Sequence, residues 1–444
     1  MPETGSGLPT PDSSPQDRKA DHPGTLRQNQ VPAGHHHPRA TPQGTYLSCL
    51  GEDVEKLERY KEGGYHPVHL DDCLGPANRY RVLHKLGHGG YGTVWLCRDT
   101  QQDRYVAVKV MVASINDVPE LSRLSLDQKV PGAEFIISPL HHFTLHGPNG
   151  SHWCLVLPLL GPPVSPDLWA GMRQDPDVAL RQMARQAAQG LCYLHKNQIC
   201  HGDFRPANIL VRLINIDHLS QDELFSLIDE PDEIPVKCES GGDPPDSSPK
   251  YLVPTADMTA LTKSVYLADQ IAIIDFGESF GFSSPPSSLG IPCQYLPPEL
   301  LLSGGPLASG PAADLWALGC TLFEIRQQKP LFAGKPNHIL CQMVRALGKP
   351  PAELWDKWEA RNEFFDDEAK WTRDSSTFSI EWCLEQRRSL YQPGPGTRGY
   401  LQTPDAERKL LADLLYQLFQ YDPAKRLTAE QVLEHGWLAA KDGS

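Results

Sequence analysis

The chain has no apolar run that approaches the roughly 20 residues a membrane-spanning helix needs. Its N-terminus lacks the apolar core of a secretory signal. Positive charge is short: 41 Lys and Arg stand against 55 Asp and Glu, a formal net charge of −14. So acidic a surface is a poor match for DNA or RNA and a reasonable one for a basic protein. The 11 cysteines form no C-x-x-C pair and no regular spacing, so they read as small buried thiols in a reducing compartment. These absences point to an intracellular protein of the cytoplasm, with the nucleus as a second location. Neither membrane nor nucleic acid is an expected partner.

What is present suits a large soluble fold. At 444 residues with 40% hydrophobic content, the chain is too long for one small core and fits two lobes. Residues 1–45 are rich in Pro, Ser, Gly, Gln and His and read as a disordered tail. His35-His36-His37 belongs to that composition and carries no metal geometry. A lead-in follows over 46–79. It holds a charged helical turn from Asp53 and the run Gly63-Gly64-Tyr65-His66-Pro67-Val68.

The organising stretch is His201-Gly202-Asp203-Phe204-Arg205-Pro206-Ala207-Asn208, followed by the strand-like Ile209-Leu210-Val211. Asp203 sits five residues before Asn208, so one loop can place a proton acceptor beside a metal ligand. Upstream, Tyr80 to Leu86 reads as a strand. It enters Gly87-His88-Gly89-Gly90-Tyr91-Gly92-Thr93-Val94, where glycines let backbone amides approach a phosphate chain. Strands on both sides make this a flap and not a strand-to-helix turn. In Val106-Ala107-Val108-Lys109, alternation puts Ala107 and Lys109 on one face, with Lys109 as the cation for the phosphates. Glu120 is the first choice of carboxylate to hold Lys109, and Glu134 the second.

Trp153 to Leu157 reads as a buried strand, and Pro158-Leu159-Leu160-Gly161 as a hinge. There the Pro158 carbonyl and the Leu160 amide can meet an adenine. Helical spacing over 177–198 uses Val178, Met183, Ala187, Leu191 and Leu194. Residues 215–268 break the pattern. Nine acids against two lysines between Asp222 and Lys250 suggest an acidic, mostly mobile insertion. Beyond it, Ile271-Ala272-Ile273-Ile274 leads into Asp275-Phe276-Gly277, with Asp275 placed to ligate Mg²⁺. Glu299 and Arg426 are candidates for a buried ion pair, and Asp314 for accepting amides of the 201–208 loop. The stretch from Trp355 to Trp371 reads as a solvated amphipathic surface, with docking of a basic substrate as the sharper alternative.

In this order and spacing the motifs resemble the eukaryotic protein kinase family over residues 80–440. They are the glycine loop (87–94), VAVK (106–109), HGDFRPAN (201–208), DFG (275–277), PPE (297–299) and DLWALG (314–319). The run Tyr60 to Val68 and the LGHGGYGTVWL start are similar to the SR-protein kinases. The resemblance implies an α+β, two-lobed fold, with a β-rich N-lobe over 80–160 and a helical C-lobe over 161–440. It implies ATP and Mg²⁺ as cofactors and a Ser/Thr protein kinase activity on a protein substrate, a basic one on the charge argument. Leu86 to Val94 (Leu86, Gly87, His88, Gly89, Gly90, Tyr91, Gly92, Thr93, Val94), Ala107, Lys109, Glu120, Pro158 and Leu160 would bind the nucleotide. Asp203, Arg205, Asn208 and Lys109 would be catalytic, and Asn208 and Asp275 would hold the metal.

Departures from the family pattern qualify this. Gly202 replaces the usual Arg, so no neighbouring cation awaits an activation-loop phosphate. Phosphorylation of Ser283, Ser284, Ser287 or Ser288 is therefore not expected to be needed, and loss of activity on replacing all four by Ala would overturn that. Arg205 stands where kinases use Lys, a fork instead of a point charge, which suggests low turnover. Pro292 stands where a Thr usually braces the catalytic Asp. Cys293 and Leu296 replace arginines of the SR-protein kinases, which removes the basis for expecting an Arg-Ser preference. A binding-only pseudokinase scaffold and a small-molecule phosphotransferase are the alternative readings.

Overall fold

The computed structural model describes residues 54–115, 117–118, 120, 129–238, 242–303, 310–389 and 399–439. These belong to one compact unit with two lobes. The tail over 1–45, with its three histidines, lies outside the described residues.

The N-lobe is a six-stranded antiparallel sheet of β1 (Cys73–Leu74), β2 (Tyr80–Gly89), β3 (Gly92–Asp99), β4 (Arg104–Met111), β5 (His141–Gly147) and β6 (Gly150–Pro158), in the order β1-β2-β3-β4-β6-β5. Alternation along β4 sends Val106, Val108 and Val110 into a core with Val82, Trp95, Cys154 and Val156. Ala107 and Lys109 take the opposite face. Register sets Lys109 beside Val94 of β3 and Leu155 of β6. Gly89 pairs with Gly92, which leaves Gly90 and Tyr91 as the two-residue tip of the β2–β3 hairpin.

Past the hinge, β7 (Leu160–Pro163) pairs with β9 (Ile209–Leu213), and β9 with β12 (Leu267–Ile273). The loop that precedes β9 starts at β8 (Ile199–Cys200), so the 201–208 motif spans two strands. Helix α1 (Pro176–Lys196) begins at Asp175, whose side chain accepts the Asp177 amide at 3.1 Å. Leu180, Met183, Ala184, Ala187, Leu191 and Leu194 form its buried stripe. Val178, expected on that stripe, is 37% exposed, because two residues before Leu180 is the opposite face of the helix. The C-lobe continues with α2 (Gln221–Ile228), α3 (Pro298–Ser303), α4 (Pro311–Gln327), α5 (Pro336–Leu347) and α6 (Asp405–Leu418). Helix α4 is buried along almost its whole length, with Trp316 packed against Phe332 and Phe419.

The described part of the 215–268 insertion corrects the expectation of a mostly mobile loop. Helix α2 carries a capping box in which Ser220 Oγ accepts the Glu223 amide at 3.2 Å and Glu223 accepts the Ser220 amide at 2.8 Å. Leu224 and Ile228 bury against Leu83, Leu96 and Tyr105 of the N-lobe. Strands β10 (Ile234–Pro235) and β11 (Tyr251–Leu252) pair. Val236 and Leu252 then pack on Leu57, Tyr60 and Tyr65 of the lead-in, while Val253 enters the sheet core. The acids sit on the outside: Asp222, Glu223, Asp229, Glu230, Asp232, Glu233, Asp243 and Asp246 are all exposed. Composition gave the solvent face, and a few apolar residues among the acids supply the docking face.

The lead-in is fixed by charge as well. Lys85, fully buried on β2, donates to both Glu55 oxygens at 2.6 and 2.5 Å and sits 4.9 Å over the Trp95 ring. Tyr60 donates to the same carboxylate. In the C-lobe, Trp355, Trp358, Phe364 and Phe365 are core residues, so what the Trp355–Trp371 stretch fully exposes is charged residues and Asn362, with Trp371 half-buried.

Candidate active site

The floor of the cleft is built around a buried carboxylate. Asp314, at the start of α4, accepts the His201 amide at 2.8 Å, the Gly202 amide at 3.0 Å and His195 Nε2 at 3.0 Å. Burial opposes its charge, but His195, His201 and the Gly202 amide outweigh burial and hold its pKa below the ordinary value. His201 is locked too. Its Nε2 donates to the Ile274 carbonyl at 3.1 Å and its Nδ1 accepts the Asp203 amide at 3.2 Å. Gly202 has φ +80°, and a Cβ there would lie 2.2 Å from the Glu278 carbonyl. Backbone approach thus excludes the Arg that the family usually places here.

Asp203 is held from two sides. Arg205 Nε reaches its two oxygens at 3.0 and 3.1 Å. Asn208 donates its amide to the Asp203 carboxylate at 2.8 Å and to the Asp203 carbonyl at 2.9 Å. This commits the Asn208 nitrogen and leaves its side-chain oxygen as the available ligand. Burial raises the Asp203 pKa above the ordinary carboxylate value, against the pull of Arg205.

Asp275 has φ 62°, which turns the chain just after the strand run and buries Phe276 against the His201 ring at 4.9 Å. Its carboxylate receives Lys109 Nζ at 2.7 Å. Glu120 stands 3.5 Å from the same ammonium, whereas Glu134 is exposed and accepts the Gly132 amide. The helix expected to carry Glu120 falls on 121–128, outside the described residues. Burial disfavours the Asp275 charge, yet Lys109 outweighs it and holds the carboxyl below its usual range. Lys109 is raised in turn by Asp275 and Glu120, although burial works the other way. Lys109 therefore joins the N-lobe sheet to the far wall of the cleft.

The roof is the β2–β3 hairpin. A Cβ on Gly87, Gly89 or Gly90 would meet nothing within 4 Å, and none of the three has positive φ. Neither packing nor backbone conformation within the chain demands glycine there, so the open face is room for a ligand. At Gly92 the reason is internal: a Cβ would lie 2.2 Å from the Val110 carbonyl. Tyr91 reaches down to donate to Glu278, just after the Asp-Phe-Gly turn, and Glu278 also accepts the Gly290 amide at 3.2 Å. Of the other residues expected here, Val94 and Ala107 belong to β3 and β4, and His88 is exposed. Leu86 packs at the edge of the Leu83–Leu96 cluster. The Thr93 hydroxyl is committed to the Trp95 indole at 2.9 Å. Pro158 ends β6 opposite Val106, and Leu160 begins β7. Away from the cleft, Arg426 clamps Glu299 with two 2.8 Å bonds and lies 5.1 Å over Trp316.

The model of the protein kinase domain matches residues 80–219 and 262–438. The chain belongs to the protein kinase family. This kinase is 28% identical over 409 residues to the serine/threonine-protein kinase SRPK of Physarum polycephalum, covering 87% of this chain and 91% of that one. It is 38% identical over 186 residues to human SRSF protein kinase 3, covering 39% and 32%. It is 26% identical over 386 residues to the human dual specificity protein kinase CLK2, covering 85% and 66%. The stretch that the family model leaves unmatched, 220–261, lies within the insertion packed on the N-lobe. Two site residues escaped the sequence: His195, which braces Asp314, and Glu278, which ties the roof to the floor. Neither lies in a spaced pattern, and only the fold brings them in.

Proposed function

We propose that this kinase transfers the γ-phosphoryl of ATP, with Mg²⁺, to Ser or Thr hydroxyls of a basic protein. The observation that carries this is the bridge from Lys109 to Asp275 at 2.7 Å, in a cleft whose floor presents Asp203, Arg205 and Asn208. Asn208 and Asp275 offer hard oxygen ligands, the donor set Mg²⁺ prefers. The open faces of Gly87, Gly89 and Gly90 leave room for phosphates. Mg-ATP, when bound, supplies the phosphoryl group and neutralises charge on its oxygens. The chain's own residues position and polarise. Lys109, held by Glu120, orients the α/β-phosphates. The amides of the glycine-rich hairpin would supply hydrogen-bond donors to them. Asp203 takes the proton of the incoming hydroxyl, and Arg205 keeps it ionised while offsetting charge on the γ-phosphoryl. The formal charge of −14 favours a basic substrate, and thiols at every described cysteine suit an intracellular site of action.

The test is radiolabel transfer from Mg-ATP to a basic test protein, followed by phosphoamino-acid analysis. Label on Ser and Thr, abolished by EDTA, is expected. Nucleotide binding without transfer would leave a scaffold, and transfer only to metabolites would leave a small-molecule enzyme.

A further inference from the structure

Beyond the Tyr91 side-chain bond to Glu278 and the Tyr91 carbonyl, which accepts the Val112 amide at 3.0 Å, the tip of the glycine-rich hairpin has little of its own to hold it still. A Cβ on Gly87, Gly89 or Gly90 would meet nothing within 4 Å, and the tip is two residues wide. Two bonds reach it from outside the region matched by the family model, which begins at residue 80. Tyr65 Oη donates to the Gly89 carbonyl at 2.6 Å. Arg59 Nη2 donates to the Gly90 carbonyl at 2.6 Å. The two donors also support each other, since the Arg59 guanidinium lies 4.6 Å over the Tyr65 ring.

The lead-in that carries them is anchored independently of the tip. Glu55 takes buried Lys85. The Gly63 and Gly64 carbonyls accept the amides of Ser114 and Ala113, each at 3.1 Å, just beyond β4. Asn149, in the β5–β6 turn, donates at 2.7 Å both to the Tyr65 carbonyl and to the Ser247 carbonyl of the insertion. The lead-in therefore forms a fixed rail along the N-lobe, with Arg59 and Tyr65 projecting from it onto the hairpin tip.

We propose that Arg59 and Tyr65 are positioning residues that set the height and order of the glycine-rich loop over the nucleotide phosphates. Pinning two carbonyls fixes the peptide planes between them, and hence the neighbouring amides. Order supplied before binding lowers the entropy cost of binding. The inference rests on the proposed nucleotide role of that loop.

The experiment uses the full chain and the variants Tyr65→Phe, Arg59→Ala and Arg59→Lys. Tyr65→Phe removes one hydroxyl and keeps the ring, which packs edge-on to Tyr60 at 5.4 Å. Each loss of a bond should raise KM for ATP about 2- to 10-fold, with kcat and the protein-substrate KM held within about two-fold. Amide exchange should quicken over 88–92 and stay unchanged in β5 and β6. Arg59→Lys, which keeps a donor, should recover part of the ATP affinity. Unchanged KM for ATP overturns the proposal even if exchange quickens, and so does uniform acceleration of exchange throughout the N-lobe. A wild-type chain whose melting temperature ignores Mg-ATP would instead overturn the nucleotide reading itself.

Discussion

Asp314 holds the floor of the cleft with buried charge and three short bonds, whereas the roof is held at Gly89 and Gly90 by two hydrogen bonds lent by residues that precede the sheet. On the floor, the polar groups of the 201–208 loop sit close to their partners, with His201, Asn208 and Asp314 buried and Asp203 and Arg205 half-buried. Bonds to ionised groups contribute about 1.5–3 kcal/mol each, roughly twice a neutral pair, and orphaning a buried partner costs more. Such a surface keeps one geometry. The roof has open space at Gly87, Gly89 and Gly90, and apart from the Tyr91 bonds to Glu278 and Val112 its supports come from a segment added to the lobe. Such a surface can rise and fall. A floor that must not move and a roof that must admit a nucleotide are thus given different kinds of fastening.

Removing chemistry from the floor is the strongest way to test the contrast. Asp203→Ala should lower kcat by ~10²–10⁴, the usual scale for a lost base, while the melting shift on Mg-ATP persists. Retained turnover would show that the floor's order serves something other than proton acceptance. This half of the molecule was legible in the sequence for a physical reason. Asp203, Arg205 and Asn208 bond one another within six residues of chain, so the local pattern already contains most of the geometry. The supports of the roof were not legible. Leu224 meets Leu83 and Leu96 across more than a hundred residues, inside a segment whose acids dominate its composition. Glu55 and Lys85 carry no pattern at all, since a lone lysine in an alternating strand reads as a surface residue. Glu120 was legible only as one of two carboxylates, and its 3.5 Å approach to Lys109 separates it from Glu134.

The insertion provides the next test. Leu224 is fully buried between α2 and the N-lobe. Leu224→Ala should cost about 2–4 kcal/mol, the range for deleting a well-packed leucine, read as a lower melting temperature. Limited proteolysis should find the first new cuts within 221–238. Because the insertion touches the rail and not the floor, kcat measured below the new melting temperature should change little. A kcat loss comparable to that of Asp203→Ala would mean that roof and floor are not separately fastened.

The smallest expected effect is a displacement along the pH axis. Asp203 must be ionised to accept a proton, so activity should fall on the acid side as the carboxylate takes one up. Burial raises its pKa above the ordinary value, and Arg205 limits the rise. In Arg205→Ala the opposing cation is gone, the carboxylate is less favoured, and the acid limb of kcat/KM should move to higher pH. Arg205→Lys keeps the charge, so its acid limb should stay near that of the wild type, although a point charge loses the paired contact from Nε to both Asp203 oxygens. The two variants separate charge from shape. If both limbs move together, Arg205 acts by holding the carboxylate in place; if only the alanine limb moves, it acts through its field. No movement in either would detach Asp203 from the acid limb and return the floor to a purely structural role.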